Sequence, residues 1–229
     1  MKVVIPAKAS STRVVNKNWR PFYANKSLVE ITIDKLRKAK VKAKDIFVSS
    51  EDARMLYEIR KSHKVNGLVR DPLMCENETL LTRVIRSLHK QIGTPNEFAL
   101  VCCTSPTFDE YRDCLANWKL VKDRFDSYVV AYPSDTHRLL GQSNNLYPLG
   151  WSFGANHTNS QSQQSYSMPF SFSILTKKSV EETGYFVGRK PYWHVSKSWH
   201  IDINTPEDFY DAQAIYYSRI SRDPEKTQH

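Results

Sequence analysis

The chain has 229 residues, 40% of them hydrophobic, 12% aromatic and 25% charged, which excludes wholesale disorder and is enough to bury a core without disulfides. Its 33 basic and 24 acidic residues leave a formal charge of +9, which points to an anionic partner without saying which one. No apolar stretch approaches membrane-spanning length, and the first strand pattern starts at Lys2 with no room for a signal peptide, so a cytoplasmic protein with no membrane partner is expected.

In chain order, strand patterns are predicted over Lys2–Pro6, Asp45–Ser49, Gly67–Val69, Phe98–Cys103 and Ser127–Tyr132, each short, apolar and rich in β-branched or aromatic residues. Helical patterns separate them. Leu28, Val29, Ile31, Ile33 and Leu36 share one face, Leu80, Leu81, Val84, Ile85 and Leu88 another, and Tyr111, Cys114, Leu115, Trp118 and Val121 a third, with a weaker fourth over Glu51–Ser62. Alternating strands and helices predict an α/β fold: a mostly parallel sheet with helices on both faces and ligands beyond the carboxyl ends of its strands. The lysines at 35, 38, 40, 42 and 44 read as a solvated helix face and turn.

From 134 to 168 the periodicity lapses into a polar stretch, read as a flap or dimerisation arm, with a merely disordered insertion as the alternative. A strand over 169–175 and a short helix over 177–183 follow. "TPEDF" then announces the last helix, with Thr205 as N-cap, Pro206 at the first helical position and Asp208 closing the box. One domain over 1–229 is favoured over two small ones. Cys75, Cys102, Cys103 and Cys114 lack zinc spacing, and Cys102 and Cys103 read as buried thiols with no activating neighbour.

The loop after the first strand, "AKASSTRVVNKNWRPF", carries Lys8, Arg13, Lys17 and Arg20 and no acid. Small residues let backbone N–H groups turn inward around a polyphosphate while the cations neutralise it. With no glycine, the loop is neither a Walker loop nor a dinucleotide fingerprint.

"IPAKASSTRVVNKNWRPF", then "VSSEDARM", Arg70, "TSP" after an apolar strand and "IDINTPEDF", in that order over roughly residues 2–217, resemble the acylneuraminate cytidylyltransferase family, the CMP-sialic acid, CMP-pseudaminic acid and CMP-KDO synthetases. The resemblance implies a three-layer, Rossmann-like nucleotide-diphospho-sugar-transferase fold. It also implies a magnesium-dependent attack of a sugar-acid hydroxyl on the α-phosphorus of CTP, and a homodimer. By position, Lys8, Arg13 and Lys17 would counter the triphosphate, Ser11 and Asn18 would make polar contacts to it beside Ala7, and Arg70 would read the cytosine. Thr79 or Thr82 would reach the ribose, while Thr104 and Ser105 would face the acidic sugar. Asp202 and Asn204 stand where the family holds Mg²⁺ with Asp-Ile-Asp, and Glu207 or Asp208 would replace the lost charge.

Ala9 and Ser10 replace two family glycines, which predicts either a different path or backbone strain on the order of 1–3 kcal/mol. Asn77 is read either as the counterpart of a family aspartate or as the cap of the helix holding Leu80–Leu88. His194 and His200 are candidates for deprotonating the acceptor, and Arg138, Arg189, Lys190 and Lys197 for holding its carboxylate. Phe170 and Phe172 crowd the segment where the family contacts the sugar. Two rivals remain: a non-catalytic nucleotide-binding homologue, and a nucleic-acid binder suggested by the charge with five Trp and twelve Tyr, ranked last for want of a basic-aromatic cluster in one segment.

Overall fold

The computed structural model describes residues 1–134, 139–142, 145–148, 165–197 and 201–222. Strand β1 (Lys2–Pro6) leads through the basic loop into a small hairpin, β2 (Pro21–Tyr23) and β3 (Lys26–Ser27), then α1 (Leu28–Lys38). Next come β4 (Ile46–Ser50), α2 (Ala53–His63), β5 (Asn66–Val69), α3 (Leu81–Gln91), β6 (Glu97–Val101), α4 (Tyr111–Val121) and β7 (Ser127–Ser134). The chain continues with β8 (Leu139–Gln142), β9 (Asn145–Pro148), β10 (Ser165–Ser167), β11 (Phe172–Thr176), α5 (Lys177–Glu182), β12 (Pro191–Val195) and α6 (Pro206–Ser221).

Among the described residues, eight strands form one sheet in the order β10-β7-β11-β6-β1-β4-β5, with β12 on β7. Strands β1, β4, β5 and β6 are mutually parallel, and β11 is antiparallel to both β6 and β7. β7 and its parallel partner β12 therefore run with β1. From β1 the chain crosses to β4 on one side and later returns to place β6 on the other. This is a topological switch point, where loops part and a crevice opens at the carboxyl ends.

Both faces of the sheet are covered. Val3 and Ile5 point into a core with Leu28, Ile33, Leu36, Tyr111, Trp118 and Phe209, while Val4 points into a second core with Ile85, Leu88, Phe98, Leu100 and Val180. This alternation explains why the buried strands read as apolar throughout. The Ser27–Glu30 capping box starts α1, and the predicted box at Thr205 and Asp208 starts α6.

Several expectations are corrected. The strand predicted over Phe98–Cys103 ends at Val101, because the chain turns at Cys102 with Ser105 N–H donating back to its carbonyl. The strand predicted over 169–175 starts at Phe172, after a left-handed Phe170 with φ 55°. β12 has no counterpart among the predicted elements. Asn77 does not cap α3, whose N-cap is Leu80 without a side-chain bond. Lys35 is not on a solvated face: its side chain is 12% exposed and pairs with Asp109 at 2.7 Å. Of the 134–168 segment, β8 and β9 form an antiparallel pair and β10 joins the sheet, while most of it lies outside the described residues.

Candidate active site

At the carboxyl ends of β1 and β6 lies a cleft of about 340 Å³, walled by Lys8, Ser11, Arg13, Lys17, Asn18, Arg70, Thr104, Asp202 and Asn204 together with Pro6, Thr12, Asn77, Leu81, Cys102 and Phe170. Nine sequence-predicted residues thus meet from four separate stretches of chain. Ala7, Thr79, Thr82 and Ser105 are not among its walls. Ala7 is fully buried, its N–H donating to Ser49 O and its carbonyl accepting from Trp19 Nε1. The Thr79 hydroxyl donates to Leu73 O, and Ser105 is buried with its hydroxyl 3.4 Å from Pro169 O.

The loop's path answers the glycine question. Neither Ala9 nor Ser10 has a positive φ; Asn16 at 51° is the loop's left-handed residue, a conformation asparagine tolerates well. No strain is stored at 9 and 10. What shapes the turn is Glu51, just beyond β4: Ala9 N–H donates to both of its carboxylate oxygens at 3.0 and 3.1 Å, and Ser10 N–H donates to Oε1 at 2.8 Å. Burial raises the Glu51 pKa, but hydrogen bonds from its own amide, the Ser10 hydroxyl and the amides of Ser10 and Ala9 outweigh that, holding it at about 2 against 4.5 for an ordinary glutamate. A depressed folded-state pKa stabilises the fold above the unfolded value, and that contribution is lost as pH falls from 4.5 toward 2. In acid titrations followed by circular dichroism, Glu51→Gln is expected to be less stable than wild type at pH 6 and to lose less of its remaining stability across that window.

Lys8, Asn18 and Lys17 of the loop are each held by hydrogen bonds. Lys8 Nζ donates to Cys75 O at 3.1 Å and Asn77 Oδ1 at 3.0 Å. Asn18 is buried, its amide donating to Lys8 O at 2.9 Å and its Oδ1 accepting from Cys103 Sγ at 3.4 Å. Lys17 is buried with its ammonium donating to Ile203 O at 2.5 Å. Burial lowers the Lys17 pKa by more than nearby Asp202 raises it. Arg70 is 5% exposed, with Nε on Ser49 Oγ and Nη2 on Ser49 O, each at 3.2 Å, and it has no carboxylate partner among the described residues.

Opposite these cations stands Asp202. Its Oδ1 accepts from Thr104 Oγ1 at 2.6 Å and its Oδ2 from Asn204 Nδ2 at 3.0 Å. Asn204 therefore orients the aspartate. Asp208 belongs to the helix cap: its Oδ2 accepts from the amides of Asn204 and Thr205, which, against burial, lower its pKa. Among the described residues no cluster of three or more His, Cys, Asp or Glu is placed to hold a metal. The donor set still fits magnesium, which takes one or two carboxylates and completes its shell with substrate phosphates and water. A carboxylate has about four lone-pair sites, and Thr104 and Asn204 occupy two at Asp202.

The cysteines are inert. Burial pushes the Cys102 thiol up and the Cys103 thiol up to about 12, so neither is a thiolate at neutral pH. Phe170 lines the cleft and packs edge-on against Phe186, whereas Phe172 is fully buried against Phe108, Tyr111 and Tyr128 and takes no part. His194 is on β12, held at 2.8 Å by Glu110, away from the cleft walls. Arg189 pairs with Glu182, and Lys190 lies over Phe125. Both residues precede β12 at the end of the sheet opposite the cleft, whereas Lys197 follows it at the cleft end. Arg138 and His200 lie outside the described residues. Sequence reasoning missed Glu51, Asn77 as a partner of Lys8, and the walls Thr12, Leu81 and Cys102. The visible signal was an acid directly after a β-branched strand, the position from which β4 faces the loop.

Solved structures share this fold. A CMP:2-keto-3-deoxy-manno-octonic acid synthetase complexed with CTP aligns over 95% of this chain and 98% of its own, at TM-score 0.64 and 10% identity. HddC from Yersinia pseudotuberculosis aligns over 94% and 99%, at 0.58 and 17%. The 4-diphosphocytidyl-2C-methyl-D-erythritol synthase from Anaerococcus prevotii aligns over 94% and 97%, at 0.63 and 13%. A sequence comparison with curated proteins found no match. Residues 2–105, which include the basic loop, Glu51, Arg70 and Thr104, match the family described as Cytidylyltransferase, and the chain as a whole has the nucleotidyltransferase-like α/β fold.

Proposed function

We propose that the protein is a cytidylyltransferase that transfers CMP from CTP to the hydroxyl of a nonulosonic-acid-like or other acidic sugar. The observation that carries this reading is the charge of the cleft: among the described residues, Lys8, Arg13, Lys17 and Arg70 face a single carboxylate, Asp202, at the switch point of the sheet. The match to the cytidylyltransferase family over 2–105 supports CTP as the nucleotide.

In this reading Lys8, Arg13 and Lys17 hold the triphosphate, Ser11 and Asn18 fix its orientation, and the buried Arg70 donates to the base. The acceptor oxygen bonds to the α-phosphorus as the bond to the bridging oxygen breaks. The electron pair leaves on pyrophosphate, and the hydroxyl proton passes to water. Positioning and charge neutralisation supply most of the rate in such chemistry. Magnesium would be held by Asp202, with Asn204 and Thr104 beside it, and would neutralise phosphate charge. His194, bound to Glu110, does not serve as the base.

The proposal extends to a single domain over 1–229 acting as a homodimer in the cytoplasm, with 134–168 as flap or arm. Trp193 and Val195, exposed on edge strand β12, support pairing with a second copy. Among the described residues no helix is long and apolar enough to cross a membrane.

The test is pyrophosphate release by the purified protein with Mg²⁺, each nucleoside triphosphate and a panel of acidic sugars. Release with CTP and one sugar is expected. CTP-selective thermal stabilisation without release would favour the second reading, a nucleotide-binding homologue without turnover, which a cleft with one carboxylate among the described residues favours. Absence of both signals would remove the cytidylyltransferase reading.

A further inference from the structure

Glu51 is absent from the walls of the cleft, yet it holds two backbone donors of the loop that forms one of them. Its carboxylate lines a neighbouring hollow with Ser10, Thr12, Cys75 and Asn77, so the Ala9 and Ser10 amides are turned away from the cleft. An anion-binding loop of small residues ordinarily presents such amides to phosphate. Here they are committed to an acid 42 positions along the chain.

The same carboxylate reaches the segment that holds Lys8. Cys75 Sγ donates to Glu51 Oε2 at 3.3 Å, and the Cys75 carbonyl accepts from Lys8 Nζ at 3.1 Å. Glu51 thus touches both the backbone on which Lys8 is mounted and the residue against which its ammonium rests.

We propose that Glu51 is a positioning residue for nucleotide binding: it sets the path of the glycine-free loop and aims Lys8 into the cleft, so that side chains grip the triphosphate where amides 9 and 10 cannot. This rests on the nucleotide reading of the cleft. A glycine loop reaches phosphate through left-handed backbone freedom. This loop has ordinary dihedrals at 9 and 10 and requires an anion behind it to satisfy the exposed donors.

The test is a double-mutant cycle read by calorimetric titration of the full chain with CTP in Mg²⁺. Glu51→Gln keeps the size of the side chain but sets an NH₂ among N–H donors. It is expected to weaken CTP about tenfold, the scale of one charge-assisted phosphate contact. Lys8→Ala is expected to do the same. The two together are expected to lose no more than either alone, because Glu51 acts through Lys8. A purely structural role would give additive losses. Hydrogen exchange at the Ala9 and Ser10 amides, measured without nucleotide, is expected to accelerate in Glu51→Gln.

Glu51→Asp, which keeps the charge but withdraws it by one methylene, is expected to lose CTP affinity to an intermediate degree and serves if the glutamine variant does not fold. Unchanged affinity in both variants, or additive losses, overturns the proposal while leaving the nucleotide reading intact. Absence of CTP binding by the wild type overturns both.

Discussion

Pyrophosphate release from CTP is expected to fall at least about 100-fold in Asp202→Ala, the scale seen when one preorganised charge-stabilising group is removed. Among the described residues lining the cleft, Asp202 is the one carboxylate. Its removal has two effects that reinforce each other. Magnesium, in the proposed reading, loses its only charged protein ligand. Lys17, already driven toward its neutral form by burial, loses the anion that opposes this. Asp202→Asn separates charge from shape, since an amide still accepts from Thr104. The same loss is expected there, with unchanged circular dichroism. Activity within threefold of wild type in the asparagine variant would show that Asp202 orients neighbours and carries no essential charge.

Lys17→Met is expected to weaken CTP binding by roughly 10- to 100-fold, the range of a charge-assisted hydrogen bond in a dry site. Methionine fills the volume of the buried stem, so the fold is expected to survive with Ile203 O losing its donor. Wild type and variant differ further in pH dependence. Because burial lowers the Lys17 pKa below 10.5, the charge proposed to hold phosphate disappears at lower pH than it would on an exposed lysine. CTP affinity therefore falls as pH rises through that value. Fold stability moves the other way. Between the lowered folded pKa and the ordinary unfolded one, the unfolded chain binds more protons, so stability increases with pH. Methionine at 17 is expected to abolish both trends. CTP titrations and urea unfolding over the alkaline range would reveal them, and an unchanged affinity profile in the variant would remove Lys17 from the binding charge.

Elements whose signals are local were legible in the sequence. β1 and α6 start where the strand pattern and the Thr205 cap place them, and α1 carries the apolar face predicted from Leu28 to Leu36. Lys8, Lys17, Asn18, Arg70, Asp202 and their neighbours were legible as a group through motif order, and they line one cleft. What the sequence hid depends on contacts between distant segments. Asn77 looks like a helix cap in a linear reading, but in space it accepts from Lys8. Phe170 and Phe172 are two positions apart, yet the left-handed backbone at Phe170 sends one to the cleft while the strand takes the other into the core. β12 carries exposed Trp193 and Val195 beside half-buried neighbours, so its pattern lacks the strong apolar contrast that marks β1.

The bond from Lys17 to the carbonyl of Ile203 spans 186 positions. A ribosome releasing the chain from its amino end would free β1, β4, β5 and β6 long before residue 203 emerges. The parallel core could assemble early, but the cleft would stay open at one side until residue 203 has emerged. Closing so long a loop is slow relative to local folding. In the proposed reading, a nascent chain that has not yet exposed residue 203 would lack the segment that anchors Lys17 and would not hold nucleotide.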